Sequence, residues 1–247
     1  MSKRALILKG GTMRGAYTVG ALKIFHKILG VDYFDLILAT SVGVYEQAFF
    51  ASGQIYFMEN TWKEYVSEHK LLNIFNPLKG KPILDLDYLV GLFQSEESML
   101  DLEKMRNSHP RLLAFVTDYE NRKPTTMDLK NGPIFDIMRA SCALPYIYPK
   151  KVLINGKRYV DSWMAKKEDF TIAIEEALDG YDEVFAISCF SKDTALTSVK
   201  TKKITVLYPS KMPVGTFDTN RRRLIETLAQ GEKDAEKFII ENKLSKV

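Results

Sequence analysis

Four short apolar runs constrain this chain most: ALIL at 5–8, FDLILA at 34–39, LLAFV at 112–116 and EVFAISC at 183–189. They are nearly continuous rather than alternating, so strands made from them would be buried on both faces. Stretches with helical spacing lie between them. Tyr17, Leu22, Ile24, Phe25 and Ile28 recur on one face over 16–29, and Gly30 fits a helix stop. VGVYEQAFFAS predicts a second helix ending at Gly53, and 55–66 a third. Strand and helix in alternation predict an α/β fold with a central, mostly parallel sheet covered by helices on both faces.

The later chain adds further elements. LLAFVTDY is followed by TTMDL as a partner strand, and KITVLY is another strand. KVLINGKRYVD carries two β-rich runs around Asn155-Gly156, a strong hairpin signal. Residues 133–142 predict a short helix with Pro133 in its first turn, 170–178 another helix, and 219–243 an amphipathic helix or pair broken near Gly231. Residues 70–110 fit the alternation poorly. Pro77, Gly80, Pro82 and the charged stretch QSEESMLDLEK mark a helical insertion there. It reads either as a lid whose apolar pairs line a substrate groove or as a plain cover on the sheet. No linker divides the chain, so 1–247 is expected to be one domain.

Composition narrows the function classes. A net charge of +4 over 247 residues does not call for nucleic acid, and it does not oppose an anionic membrane surface. Cys142 and Cys189 sit in apolar surroundings and read as buried reduced thiols. No run approaches the roughly 18 apolar residues of a membrane span, and the start MSKRALILKGG is too short in its apolar part for a signal peptide. A cytoplasmic location is expected. No H-E-x-x-H or C-x-x-C spacing points to a metal, and no cofactor is implied.

Three stretches carry candidate chemistry. GGTMRG, 10–15, follows a strand and opens a helix, so its N–H groups can face a phosphate or a transient oxyanion. The G-x-G-x-x-G spacing fails at Thr12 and a P-loop ending is absent, which leaves nucleotide binding as a minor alternative. ATSVGV puts Ser41 on a strand-to-helix turn, as a nucleophile or as a helix cap. YVDSW puts Asp161 at the end of the hairpin, where a turn aspartate is common. The histidines, His26, His69 and His109, all precede the later strands that carry the base of an α/β-hydrolase. If Ser41 is a nucleophile, a carboxylate is the better base.

In their order and spacing, GGTMRG, ATSVG and the D-S-W after the hairpin resemble the glycine turn, the G-x-S-x-G elbow and the D-G-G or D-G-A motif of bacterial patatin-like phospholipases. ASCALPYIYPKKVLINGKRYVD is similar to that family's approach to its aspartate, and the likeness covers residues 1 to about 180. The resemblance implies a patatin-like three-layer α/β/α fold related to α/β-hydrolases. It implies a Ser–Asp dyad that hydrolyses phospholipid or other acyl-lipid esters through an acyl-enzyme, with Ser41 as nucleophile and Asp161 as base. The N–H groups around Gly10, Gly11 and Thr12 would form the oxyanion hole. Arg14, Gly15 and Gly43 match the supporting positions of the turn and elbow. The expected partner is a lipid or ester substrate, with peripheral membrane contact and no nucleic acid; the oligomeric state is open.

Thr12, Ala39 and Ser162 each stand where the family pattern has glycine, and Val42 where a small alanine is common. If the first elbow position needs a positive φ, Ala39 is strained by about 1 kcal/mol. Apolar neighbours of Asp161, such as Trp163, are expected to raise its pKa, and the Ser162 hydroxyl to lower it. The altered frame keeps an alternative open: a patatin-like protein with weakened hydrolysis that binds lipid or a protein partner.

Overall fold

The structure is a computed structural model that describes residues 2–96 and 99–246. Among them, eight strands form one sheet: β1 (Arg4–Leu8), β2 (Leu36–Thr40), β3 (Arg111–Asp118), β4 (Pro124–Asp128), β5 (Val152–Ile154), β6 (Lys157–Val160), β7 (Glu183–Ile187) and β8 (Ile204–Leu207). The order is β5-β6-β3-β2-β1-β7-β8, with β4 pairing β3. The strands β3, β2, β1, β7 and β8 run parallel, while β4 and the β5–β6 hairpin are antiparallel additions. The helices are α1 (Gly15–Ile28), α2 (Gly43–Ala51), α3 (Ile55–Asn60), α4 (Leu86–Gln94), α5 (Leu102–Asn107), α6 (Ile134–Cys142), α7 (Lys167–Ala177) and α8 (Arg221–Glu241).

The continuous apolar runs are explained by two cores. Side chains alternate across a strand. In β1 and β2, Leu6, Leu8, Ile37 and Ala39 face the core shared with α1, α2 and α8. Ala5, Ile7, Leu36 and Leu38 face a smaller core with Phe170, Ile174 and Leu178 of and just after α7. Lys9 follows Ile7 in this alternation and therefore leaves β1 on the α7 side.

The pairing register delivers the site. Phe115 of β3 pairs with Thr40 on one flank and Thr126 on the other, and Thr117 pairs with Val160 and with Pro124. A strand has two flanks, so β2 and β6 share the one opposite β4. One residue beyond Thr40 and one beyond Val160, Ser41 and Asp161 both come level with Val116.

The C-terminal helix does not break at Gly231. α8 is continuous, and Gly231 is where it crosses α1: a Cβ there would stand 2.1 Å from the Tyr17 carbonyl oxygen. Gly20 of α1 is its counterpart, with a Cβ position 1.9 Å from the Leu228 carbonyl oxygen. Pro133 precedes α6 as its N-cap rather than lying in the first turn. The hairpin turn has positive φ at both Asn155 (50°) and Gly156 (76°), as its two-residue form requires.

The region 70–110 includes positions 97 and 98, which lie outside the described residues. Elsewhere it packs down. Leu86, Leu89, Val90, Leu92 and Phe93 of α4 are buried, and the Phe93 ring meets Tyr45 and Phe49 of α2 at centroid distances of 5.3 and 4.9 Å. A turn at 73–79 leaves Ile74, Phe75 and Leu78 exposed. No helix among the described residues is long and apolar enough to cross a membrane.

Candidate active site

Ser41 follows β2 with φ of 51°, the left-handed region that costs a side-chain-bearing residue about 1–2 kcal/mol. This sharp turn carries the chain from β2 straight into α2. α2 has no side-chain cap, so Ser41 does not serve as a helix cap. Its Oγ lies 3.9 Å from Cys142 Sγ and borders a cavity of about 650 Å³. Close approach of the backbone fixes the turn. A Cβ on Gly10 would stand 2.5 Å from Ser41 Cβ, and one on Gly43 2.8 Å from the Leu8 carbonyl oxygen.

The positive φ falls on Ser41, not on Ala39. Ala39 is an ordinary residue of β2, paired with Leu8 and Ala114, so the expected strain at that position does not arise.

Asp161 borders the same cavity and is 3 % exposed. Its N–H donates to the Ala143 carbonyl (3.0 Å), and the Trp163 N–H donates to its Oδ1 (2.8 Å). Burial pushes the carboxyl above the ordinary carboxylate range. Four neighbouring groups pull it back: the Trp163 N–H, the Ser41 hydroxyl, the Lys9 charge and the Ser162 hydroxyl. The role expected of Trp163 is thus reversed. Its ring is 72 % exposed, and its backbone N–H lowers the pKa that its ring was expected to raise. Ser162 acts in the expected direction.

The glycine turn borders the cavity through Gly10, Gly11 and Thr12. The Gly10 N–H donates to Thr40 Oγ1 (3.0 Å), the Met13 N–H to the Thr216 carbonyl (3.1 Å) and the Arg14 N–H to the Gly11 carbonyl (3.1 Å). The N–H groups of Gly11 and Thr12 have no partner among the described residues. Thr12 is held at φ of 52°. Arg14 lies over the Phe190 ring at 4.9 Å. Gly15 leaves no room for a side chain, since a Cβ would stand 2.5 Å from Glu46 Oε1.

Several residues of this site escaped sequence reasoning. Lys9 enters the cavity with Nζ 4.6 Å from the Phe170 ring centroid and 3.9 Å from Asp193 Oδ2. Burial lowers its pKa, while Asp193, Asp161 and Cys189 oppose that. Its signal was a lysine ending a buried strand in phase with Ala5 and Ile7. Asp193, in a polar loop after β7, carried no signal. Beside Gly15 and outside the cavity lining, Glu46 is buried with both oxygens unpartnered among the described residues, and burial lifts its pKa well above the ordinary value. Cys142 and Cys189 are buried and free. None of the three histidines borders the cavity, and neither does any described residue of 70–110. Among the described residues no group of three or more His, Cys, Asp or Glu side chains is arranged to hold a metal.

The family profile of Patatin-like phospholipase matches residues 6–167. An uncharacterised protein of Escherichia coli strain K12, YjjU, is 26 % identical over 159 residues, covering 64 % of this chain and 44 % of YjjU. The chain thus spans less than half of that relative's length. VipD from Legionella pneumophila has a similar fold, with a TM-score of 0.57 at 11 % identity over 98 % of this chain and 67 % of VipD. The type III effector ExoU follows with a TM-score of 0.51 at 12 % identity over 99 % of this chain and 54 % of ExoU.

Proposed function

Because the chain belongs to the patatin-like phospholipase family, we propose that it is a serine acyl hydrolase of lipid esters, working through Ser41 and Asp161. One observation carries this reading above the rest: a serine in the left-handed conformation and a buried carboxylate line one cavity, brought level with each other by the pairing of β2 and β6 on β3. Strained backbone of this kind clusters at functional sites.

Asp161 accepts the proton as Ser41 Oγ attacks the ester carbonyl carbon. The N–H groups of Gly11 and Thr12 receive the developing oxyanion, Gly10 being engaged by Thr40. The leaving alcohol takes the proton from Asp161, and the acyl group stays on Ser41. Water then attacks the acyl carbon, its proton passing to Asp161 and on to the departing serine oxygen, which frees the fatty acid. A buried base with a raised pKa is a better proton acceptor than a free aspartate.

A fluorophosphonate probe tests this directly. Wild-type protein should be labelled at Ser41 and should turn over p-nitrophenyl esters; Ser41→Ala and Asp161→Asn should each abolish most turnover, and the double variant should be little worse. Folded wild-type protein that neither labels nor hydrolyses would leave a binding role as the reading.

A further inference from the structure

Three large side chains stand exposed around the mouth of the cavity. Tyr146 is 82 % exposed, Trp163 72 % and Phe217 57 %, and all three also line the cavity. They come from separate segments: the turn after α6, the short helical turn Ser162–Met164, and the loop before α8. Trp62, by contrast, is 4 % exposed. Lys166 and Lys167 are exposed just after Trp163, and Lys167 also borders the cavity. Glu168 and Asp169 follow them in the first turn of α7. Asp218, which follows Phe217, is paired with Arg223 at 3.0 Å.

We propose that this aromatic rim docks the protein on a lipid surface bearing anionic headgroups, so that the cavity opens onto the lipid. The proposal rests on the reading of the cavity as a site for lipid esters. The chemistry of the rim favours a lipid surface over a protein partner. Tryptophan and tyrosine join an apolar ring to a polar edge and collect at the headgroup level of membranes. Large exposed apolar groups around a binding cavity mark a contact surface. Turn segments set the rim, so it offers neither a free strand edge nor a helix groove of the kind that recognises peptides. The two lysines beside Trp163 complement an anionic surface.

The test uses the full chain with Ser41→Ala, which reads binding without turnover. Vesicles are of phosphatidylcholine, alone or with one third phosphatidylglycerol. Trp163 is the solvent-facing tryptophan, so its emission should shift to the blue on the mixed vesicles, and Trp163→Phe should abolish the shift while keeping vesicle co-sedimentation. Replacing Tyr146, Trp163 and Phe217 together with serine should weaken co-sedimentation by about tenfold or more. Lys166→Glu with Lys167→Glu should weaken it severalfold on mixed vesicles and little on phosphatidylcholine. A melting temperature within a few degrees of the parent certifies each variant as folded. No co-sedimentation, or co-sedimentation that the folded rim variant retains in full, overturns the docking surface. These outcomes are separable from failure of the hydrolase reading. Soluble-ester turnover without vesicle binding removes the rim alone, and vesicle binding without labelling of Ser41 in the wild type removes the hydrolase alone.

Discussion

At the α1–α8 crossing and at the Ser41 turn, backbone segments approach to the limit of contact, yet the two regions solve the problem differently. At the crossing, Gly20 and Gly231 sit in regular helices, and each is demanded by the partner's carbonyl, 1.9 and 2.1 Å from where a Cβ would be. At the turn, Gly10 and Gly43 meet the same steric demand, but the left-handed backbone is carried by Thr12 and Ser41, which have side chains. The crossing uses glycine for space and stores no backbone strain. The turn keeps strain that glycine would relieve, at two residues that border the cavity, Thr12 and Ser41. The polar interior divides the same way. Asp234 at the crossing accepts from Tyr17 Oη, the Ser210 N–H and the Ser210 hydroxyl at 3.2, 2.9 and 2.6 Å, whereas Asp161 is buried with its pKa pushed up.

Ser41→Gly gives the sharpest break between the regions. On the hydrolase reading, loss of the Ser41 hydroxyl should lower ester turnover by at least about a thousandfold. Relief of the left-handed backbone should raise unfolding stability by about 1 kcal/mol in urea titration, offset in part by glycine's unfolded-state entropy. If the variant is markedly less stable, the turn holds no strain. Gly231→Ala is the mirror case. It should destabilise by about 3 kcal/mol, because a backbone carbonyl cannot move aside as a flexible side chain can. Turnover per folded molecule should stay within about twofold, since α8 supplies no residue bordering the cavity.

Charge separates the regions next. The Asp161 carboxyl titrates above its unfolded value, so the native state binds more protons in that window. Its contribution to stability is full below the unfolded pKa and is lost as pH rises through the folded one. On the hydrolase reading, turnover uses the ionised form and should fall as pH drops through the same elevated value. Lys9→Met removes a charge that holds Asp161 down. The acid limb of kcat/KM should move upward by up to about one pH unit, equivalent to about 1.4 kcal/mol. Lys9→Arg should restore most of it. An acid limb that stays put in Lys9→Met would mean that Asp193 alone absorbs the lysine's charge.

The sequence was most readable where local rules decide the structure. Continuous apolar runs announced strands buried on both faces, and Asn155-Gly156 announced the hairpin that brings Asp161 home. The ordered glycine turn, elbow and aspartate motif announced the family. What could not be read depends on pairings far apart in the chain. Gly231 looked like a helix break because the carbonyl it makes room for belongs to Tyr17, more than two hundred residues away in sequence. Ala39 looked strained because a motif does not say which of its residues carries the positive φ. Lys9 and Asp193 meet only because β1 and β7 are neighbours in the sheet, and no spacing along the chain encodes that.

The smallest expected effect is at Thr12, and it asks whether the strain in the glycine turn serves the chemistry or is incidental. Thr12 shares the left-handed conformation of Ser41, with φ of 52° against 51°, but the hydrolase reading uses only its backbone N–H. Glycine keeps that N–H and adopts the same φ without steric cost. Thr12→Gly should therefore gain about 0.5–1 kcal/mol from relief, less the added entropy of its unfolded chain. Turnover of a soluble ester should stay within about threefold. Removing an oxyanion donor outright costs about 3 to 4 kcal/mol, so a hundredfold loss in a folded Thr12→Gly protein would mean that the β-branched side chain is what aims the N–H. A small stability gain with turnover kept would leave Ser41 as the residue of the turn whose strain is tied to its side chain.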